Sequence, residues 1–99
     1  MRKPKDKKLC KAVKDFAAQM LDRLAKKESE GYTGWDNENI VPANELVEAL
    51  IEDAKDIRVL SRRQRQSWQP YTYEGIKKLA IDIANRSMMI VYRAQAKEV

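Results

Sequence analysis

Asp53 and Asp82 are the residues of this chain whose placement calls for chemistry. Asp82 stands with Asn85 in the run Ile81-Asp82-Ile83-Ala84-Asn85-Arg86-Ser87-Met88-Met89-Ile90, an otherwise largely apolar helical stretch. A helix with that lining is buried on most sides, and a buried acid or amide needs a partner or a ligand. On the preceding helix, at about 100° per residue, Glu45, Glu48, Glu52 and Asp56 fall within an arc of about 80° opposite Val47, Leu50 and Ala54. Asp53 lies apart from them, at the border of the apolar face beside Ala49 and Leu60. Carboxylates of one helix joined by Asp82 from a facing helix suit a hard divalent cation such as magnesium. The ion offsets their repulsion and offers open positions to phosphate oxygens. The same residues also have plain structural roles: a solvated acidic face, and ion pairs from Asp82 to Lys78 and Arg86 at i−4 and i+4.

A second constellation is basic and aromatic. Arg58, Arg62, Arg63 and Arg65 lie close in sequence to Trp68, Tyr71 and Tyr73. Guanidinium forks match phosphate, and the rings offer surfaces on which a base can stack. Five of the seven aromatics fall in or beside the two expected interhelical connections, where binding residues concentrate, although loop rings also cap cores. The chain has no histidine, which removes His-based triads, His general bases and His-containing zinc sites; a metal here would need oxygen ligands. Lone Cys10 has no internal disulfide partner.

The elements that must position these groups are helical. With 99 residues, three glycines, three prolines and 35% charged residues, the composition fits one all-α domain over 1–99. Leu9, Val13, Phe16, Ala17, Met20, Leu21 and Leu24 recur at threes and fours, which predicts a helix from about Lys5 to Lys27 with Pro4 at its first turn, behind a basic arm over 1–8. A long loop from Glu28 to Pro42 carries Gly31, Gly34, Tyr32 and Trp35, with Trp35 placed to plug the helix ends. Leu46, Leu50, Ala54 and Ile57 mark a second helix from Pro42 or Ala43 to about Leu60. The stretch 61–72 reads as a basic aromatic loop, with Pro70 ending any helix before it. A third helix, from about Tyr73 to Ala94, carries two apolar faces and so calls for two packing partners. A chain this short buries only part of its apolar surface alone, which predicts a dimer or tetramer assembled through the second face of that helix.

The segments Asp82-Ile83-Ala84-Asn85 with Met88-Met89-Ile90, Gly34-Trp35, and Leu50-Ile51-Glu52-Asp53-Ala54-Lys55-Asp56-Ile57 together resemble, in order, motifs of the MazG-like all-α nucleotide pyrophosphohydrolases, a family with small phage members. The resemblance spans about Gly31 to Ile90. It implies a helical bundle completed by oligomerisation, in which magnesium is held by an E-x-x-E pair and an E-x-x-D pair while a nucleoside triphosphate is cleaved to monophosphate and pyrophosphate. Asp53 and Asp56 would occupy the first pair, with Glu52 as a substitute, and Asp82 matches the aspartate of the second. Leu79 stands where that pair's glutamate belongs, and the basic insertion 58–72 is a further departure. Losing a carboxylate removes a ligand and a charge, so the pocket is expected to outlast the hydrolysis.

Three functions follow. The first expectation is a protein that binds and sequesters a phosphorylated nucleotide, as a phage counter-defence protein would. In it Glu52, Asp53, Asp56 and Asp82 hold metal or ligand hydroxyls, Asn85 bonds base or sugar, Trp35 or Trp68 stacks, and Arg62, Arg63 and Arg65 meet phosphate. The second is a magnesium-dependent pyrophosphohydrolase. The third is a module that binds nucleic acid or a host protein through its basic surface, in keeping with a net charge of +5. A basic, amphipathic start in place of a secretory signal, and the lack of a membrane-spanning stretch, predict a cytoplasmic protein.

Overall fold

The computed structural model describes residues 2–66 and 70–97, and the side chains of residues 63–72 lie outside that description. The fold is all-α: α1 (Lys7–Ser29), α2 (Ala43–Gln66) and α3 (Pro70–Lys97), with no strand among the described residues. α3 packs against both α2 and α1, whereas α1 and α2 do not pack on each other. None of the helices is long and apolar enough to cross a membrane, judged over the described residues.

Helix α1 starts two residues later than its apolar spacing predicts. Asp6 is the N-cap, its carboxylate accepting from the Lys8 amide at 2.8 Å, and Pro4 lies before the helix, where its carbonyl accepts from Cys10 Sγ. The far end closes on Gly31 at φ +92°, with Tyr32 N donating to Lys27 O and Gly31 N to Glu28 O. This pair of hydrogen bonds satisfies the carbonyls of Lys27 and Glu28 at the helix end, where the chain turns into the connection to α2. Lys26 and Lys27 lie in the last turn, where positive charge is favourable.

The expected loop over 61–72 is largely helix. α2 continues to Gln66, and α3 already starts at Pro70. Arginine and glutamine are strong helix formers, and proline is well placed at a first helical position, where its missing N–H is not needed. Turn-like composition is what the connection over 30–42 has and 61–66 lacks.

That longer connection is tied down by Arg93 of α3, one of the few buried side chains, at 8% exposure. Its guanidinium donates to the carbonyls of Val41 at 2.6 Å and Trp35 at 3.3 Å and to the Glu38 carboxylate. Glu38 in turn accepts from the Ala43 amide at 3.0 Å, placing an anion at the start of α2. Within the loop, Gly34 adopts φ +82°, and a Cβ there would collide with the Ile40 side chain; Gly31 has open space around it. Both alanine substitutions therefore strain the backbone, but only one also breaks packing. Gly31→Ala is expected to cost about 1 kcal/mol and Gly34→Ala about 2–3 kcal/mol, measured by thermal and urea denaturation.

Candidate ligand cleft

Because α1 and α2 meet α3 but not each other, a cleft of about 470 Å³ opens where the three helices and the 30–42 connection converge. Its apolar wall includes Leu24, Trp35, Leu46, Met88 and Met89, and its polar groups include Lys27, Glu45, Asp82, Asn85 and Arg86. That size and mixture, a mostly apolar hollow with few polar groups, are those of small-molecule sites.

The polar groups come from α3 at helical spacing. Asp82 and Asn85, three apart on one face, both turn toward α1. Asp82 is buried, and its carboxylate accepts from Arg23 Nε at 3.0 Å and Nη2 at 3.5 Å, with Lys27 Nζ 3.9 Å away. The hydrogen bond from Arg23 to Asp82 raises the guanidinium above its ordinary range, against the opposing effect of burial. Asn85 is 4% exposed, and its Nδ2 donates to the Met20 carbonyl at 3.4 Å. That bond fixes which way the amide points, since the reversed amide would set oxygen against oxygen. Asn85 Oδ1 is then buried without a partner. Arg86, one residue further on, reaches α2 and donates to the Asp53 carboxylate.

The expected site residues divide accordingly. The fold brings Trp35, Asp82 and Asn85 to the cleft, and Asp53 to its edge through Arg86. Glu52 is exposed and pairs with Lys55 at 3.4 Å, and Asp56 is exposed as well. Glu45 and Glu48 are exposed too, Glu45 at the cleft's rim. Asp82 is paired across to α1 rather than to Lys78 or Arg86 along its own helix. Trp35 is partly engaged already, edge-on to Tyr92 with ring centroids 5.1 Å apart. Arg62 is exposed near the far end of α2, 13 residues beyond Ala49 of the cleft wall, roughly 20 Å along the helix axis. It does not reach the cleft. Arg63, Arg65 and Trp68 lie outside the described side chains. Lys27, Arg86, Tyr32, Met88 and Met89 are cleft residues that sequence reasoning did not assign to the site; Lys27 also lies 5.5 Å from the Tyr32 ring centre. The signal available for Lys27 was its register, seven residues after Met20 and three after Leu24, on the same face of α1.

The acids expected to hold magnesium do not converge in this arrangement. No group of three acids, histidines or cysteines converges among the described residues, and Asp53 and Asp82 are each held by arginine on different helices. The charge that a metal would neutralise is neutralised by Arg23, Lys27 and Arg86. In class, then, this is a three-helix all-α protein with a polar-based apolar cleft. No family model, curated protein or solved structure matches the chain.

The Arg23–Asp82 pair joins α1 to α3, and removing one partner leaves a largely buried charge uncompensated. Asp82→Ala is expected to destabilise the fold by about 2–3 kcal/mol. In a double-mutant cycle by urea denaturation, Arg23→Met should recover part of that loss, giving a coupling of about 1 kcal/mol or more.

Proposed function

We propose that the cleft binds a phosphorylated nucleotide and holds it without turning it over. The observation that carries the reading is Asn85, a residue of the cleft lining whose Oδ1 is buried with no hydrogen-bond partner. An unmade hydrogen bond at such a position costs roughly 1–3 kcal/mol, which a ligand N–H or O–H would recover. A nucleobase edge or a ribose hydroxyl supplies that donor, while Met88, Met89 and Trp35 offer apolar surface to the ring. The cations at the cleft are Lys27 and Arg86, not the arginines of 62–65 that sequence alone favoured, and a phosphate would have to share them with Asp82 and Asp53, with which they are paired.

Sequestration is preferred over hydrolysis because the carboxylates at the cleft are paired with the chain's own cations. The resemblance to the MazG-like pyrophosphohydrolases supports a nucleotide as the ligand class, and Leu79, in place of a metal-binding glutamate, fits the same outcome.

Calorimetric titration with linear and cyclic nucleotides, with and without magnesium, tests this directly when each mixture is also analysed chromatographically. Binding without products is expected. Magnesium-dependent release of pyrophosphate would overturn sequestration, and the absence of binding to any nucleotide would overturn the ligand class. Asn85→Leu keeps the branched outline and the number of heavy atoms but removes the unpaired acceptor. It should weaken nucleotide binding by about tenfold or more in protein that circular dichroism shows to be folded.

A further inference from the structure

The connection between α1 and α2 is built as one piece set between two joints. From Gly34 to Val41 it is bonded to itself. Asn37 N donates to the Gly34 carbonyl at 3.0 Å, Ile40 N and Val41 N donate to the Asn37 carbonyl at 3.0 and 2.8 Å, and Asn39 N donates to Asn37 Oδ1 at 2.9 Å. The Ile40 side chain lies so close to Gly34 that a Cβ there would collide with it, which closes the piece on itself. A compact turn of this kind, packed by its own side chains, keeps its shape when the whole segment moves. The stretch before it is different. Tyr32 N is bonded back to α1 at Lys27, Thr33 makes no hydrogen bond among the described residues, and Gly34 takes φ +82°. A change in backbone angles is least opposed at such a position, which makes it a hinge. The second joint is Pro42, between the piece and the first residue of α2.

Little holds the piece to the helices. Asp36, Asn37, Glu38, Asn39 and Ile40 are exposed, and Trp35 and Val41 are half-buried. Among the described residues, its hydrogen bonds to the helices are those of Arg93 to the Trp35 and Val41 carbonyls and the Glu38 carboxylate, and that of Ala43 N to Glu38. The Trp35 ring adds its edge contact with Tyr92, the neighbour of Arg93 on α3. A segment with few buried apolar contacts, fastened at one place, opens at a lower cost than the fold as a whole. Release also leaves buried Arg93 without its acceptors, so the closed form dominates and the open one is a minor state.

The piece is part of the cleft. Trp35 and Val41 line the cleft from the piece itself, and Tyr32 and Thr33 line it from the joint. We propose that residues 34–41 are a hinged gate on the cleft, swinging as a unit about Thr33 and Gly34 at one end and Pro42 at the other, and latched shut by Arg93. Opening withdraws Trp35 and Val41 from the wall. Glu38 is the accessible half of the latch, with its side chain 57% exposed where that of Arg93 is 8% exposed. The use of the gate in admitting a ligand rests on the cleft being a nucleotide site, whereas its motion belongs to the free protein.

The test is NMR relaxation dispersion on the free full-length chain, joined to acrylamide quenching of Trp35 in a Trp68→Phe background, where Trp35 is the only tryptophan. Amides of 34–41 should share one exchange rate on the microsecond to millisecond scale, while those in the middle of α3 show no exchange. Glu38→Gln keeps the outline of the side chain and removes its charge. It should raise the open population about tenfold and increase the quenching of Trp35, with the circular dichroism unchanged. Tyr92→Leu, which removes the ring contact and leaves the latch, should shift both readouts the same way. Glu48→Gln, at an exposed acid of α2 with no part in the latch, should shift neither. Different exchange rates from residue to residue would overturn the proposal, because a fraying loop behaves so. It is overturned as well if wild type and Glu38→Gln both lack exchange and quench alike. Collective exchange of 34–41 in a protein to which calorimetry finds no nucleotide bound leaves the gate standing and removes the ligand class instead.

Discussion

The structure depends on one helix, α3, on which both other helices pack and which carries the buried polar side chains. Among the described residues, those classed as buried are Leu46, Asp82, Asn85 and Arg93, and the last three all stand on α3. Asp82 and Asn85 hold α1 through Arg23, Lys27 and the Met20 carbonyl, while Arg93 holds the 30–42 connection and, through Glu38, the start of α2. Such contacts are directional, so they define register and orientation where a small apolar core alone would allow sliding. They also demand completeness. A buried polar group without its partner is costly, which makes Asn85 Oδ1, unpaired among the buried side-chain atoms of the described residues, stand out.

The cleft is a consequence of the same arrangement. α1 and α2 are each attached to α3 and not to each other, so the space between them is walled by side chains of all three helices and floored by the groups that do the attaching. Asp82 and Arg86 therefore have two tasks, joining helices and setting the charge of the hollow. Because each is paired within the chain, the charges of the two largely cancel at the cleft.

Much of this was legible in the sequence. The apolar spacings placed the three helices, and the polar residues in the apolar run of α3 marked Asp82 and Asn85 as buried. The angular position of Asp53 separated it from the solvated stripe of Glu45, Glu48, Glu52 and Asp56, and the structure turns it to Arg86. The region after Leu60 is helical to Gln66 where its composition suggests a loop, because arginine and glutamine, for all their affinity for phosphate, are strong helix formers. Arg62 is carried away along α2 as a result. Arg93 was invisible as a structural hub, since nothing local distinguishes an arginine that caps a distant loop from one that is solvated.

The sequence by itself determined the elements: periodicity, capping residues and turn glycines are local properties, and each acts within a few residues of where it is written. It also determined that certain polar groups would be buried. Only the tertiary structure decided their partners. Whether Asp82 faces magnesium, its helical neighbours Lys78 and Arg86, or Arg23 from α1 depends on which helix lies across from it, and that is set by packing over 59 residues of separation. Charge pairing is a property of distance in space, and distance in space is what a one-dimensional pattern does not contain.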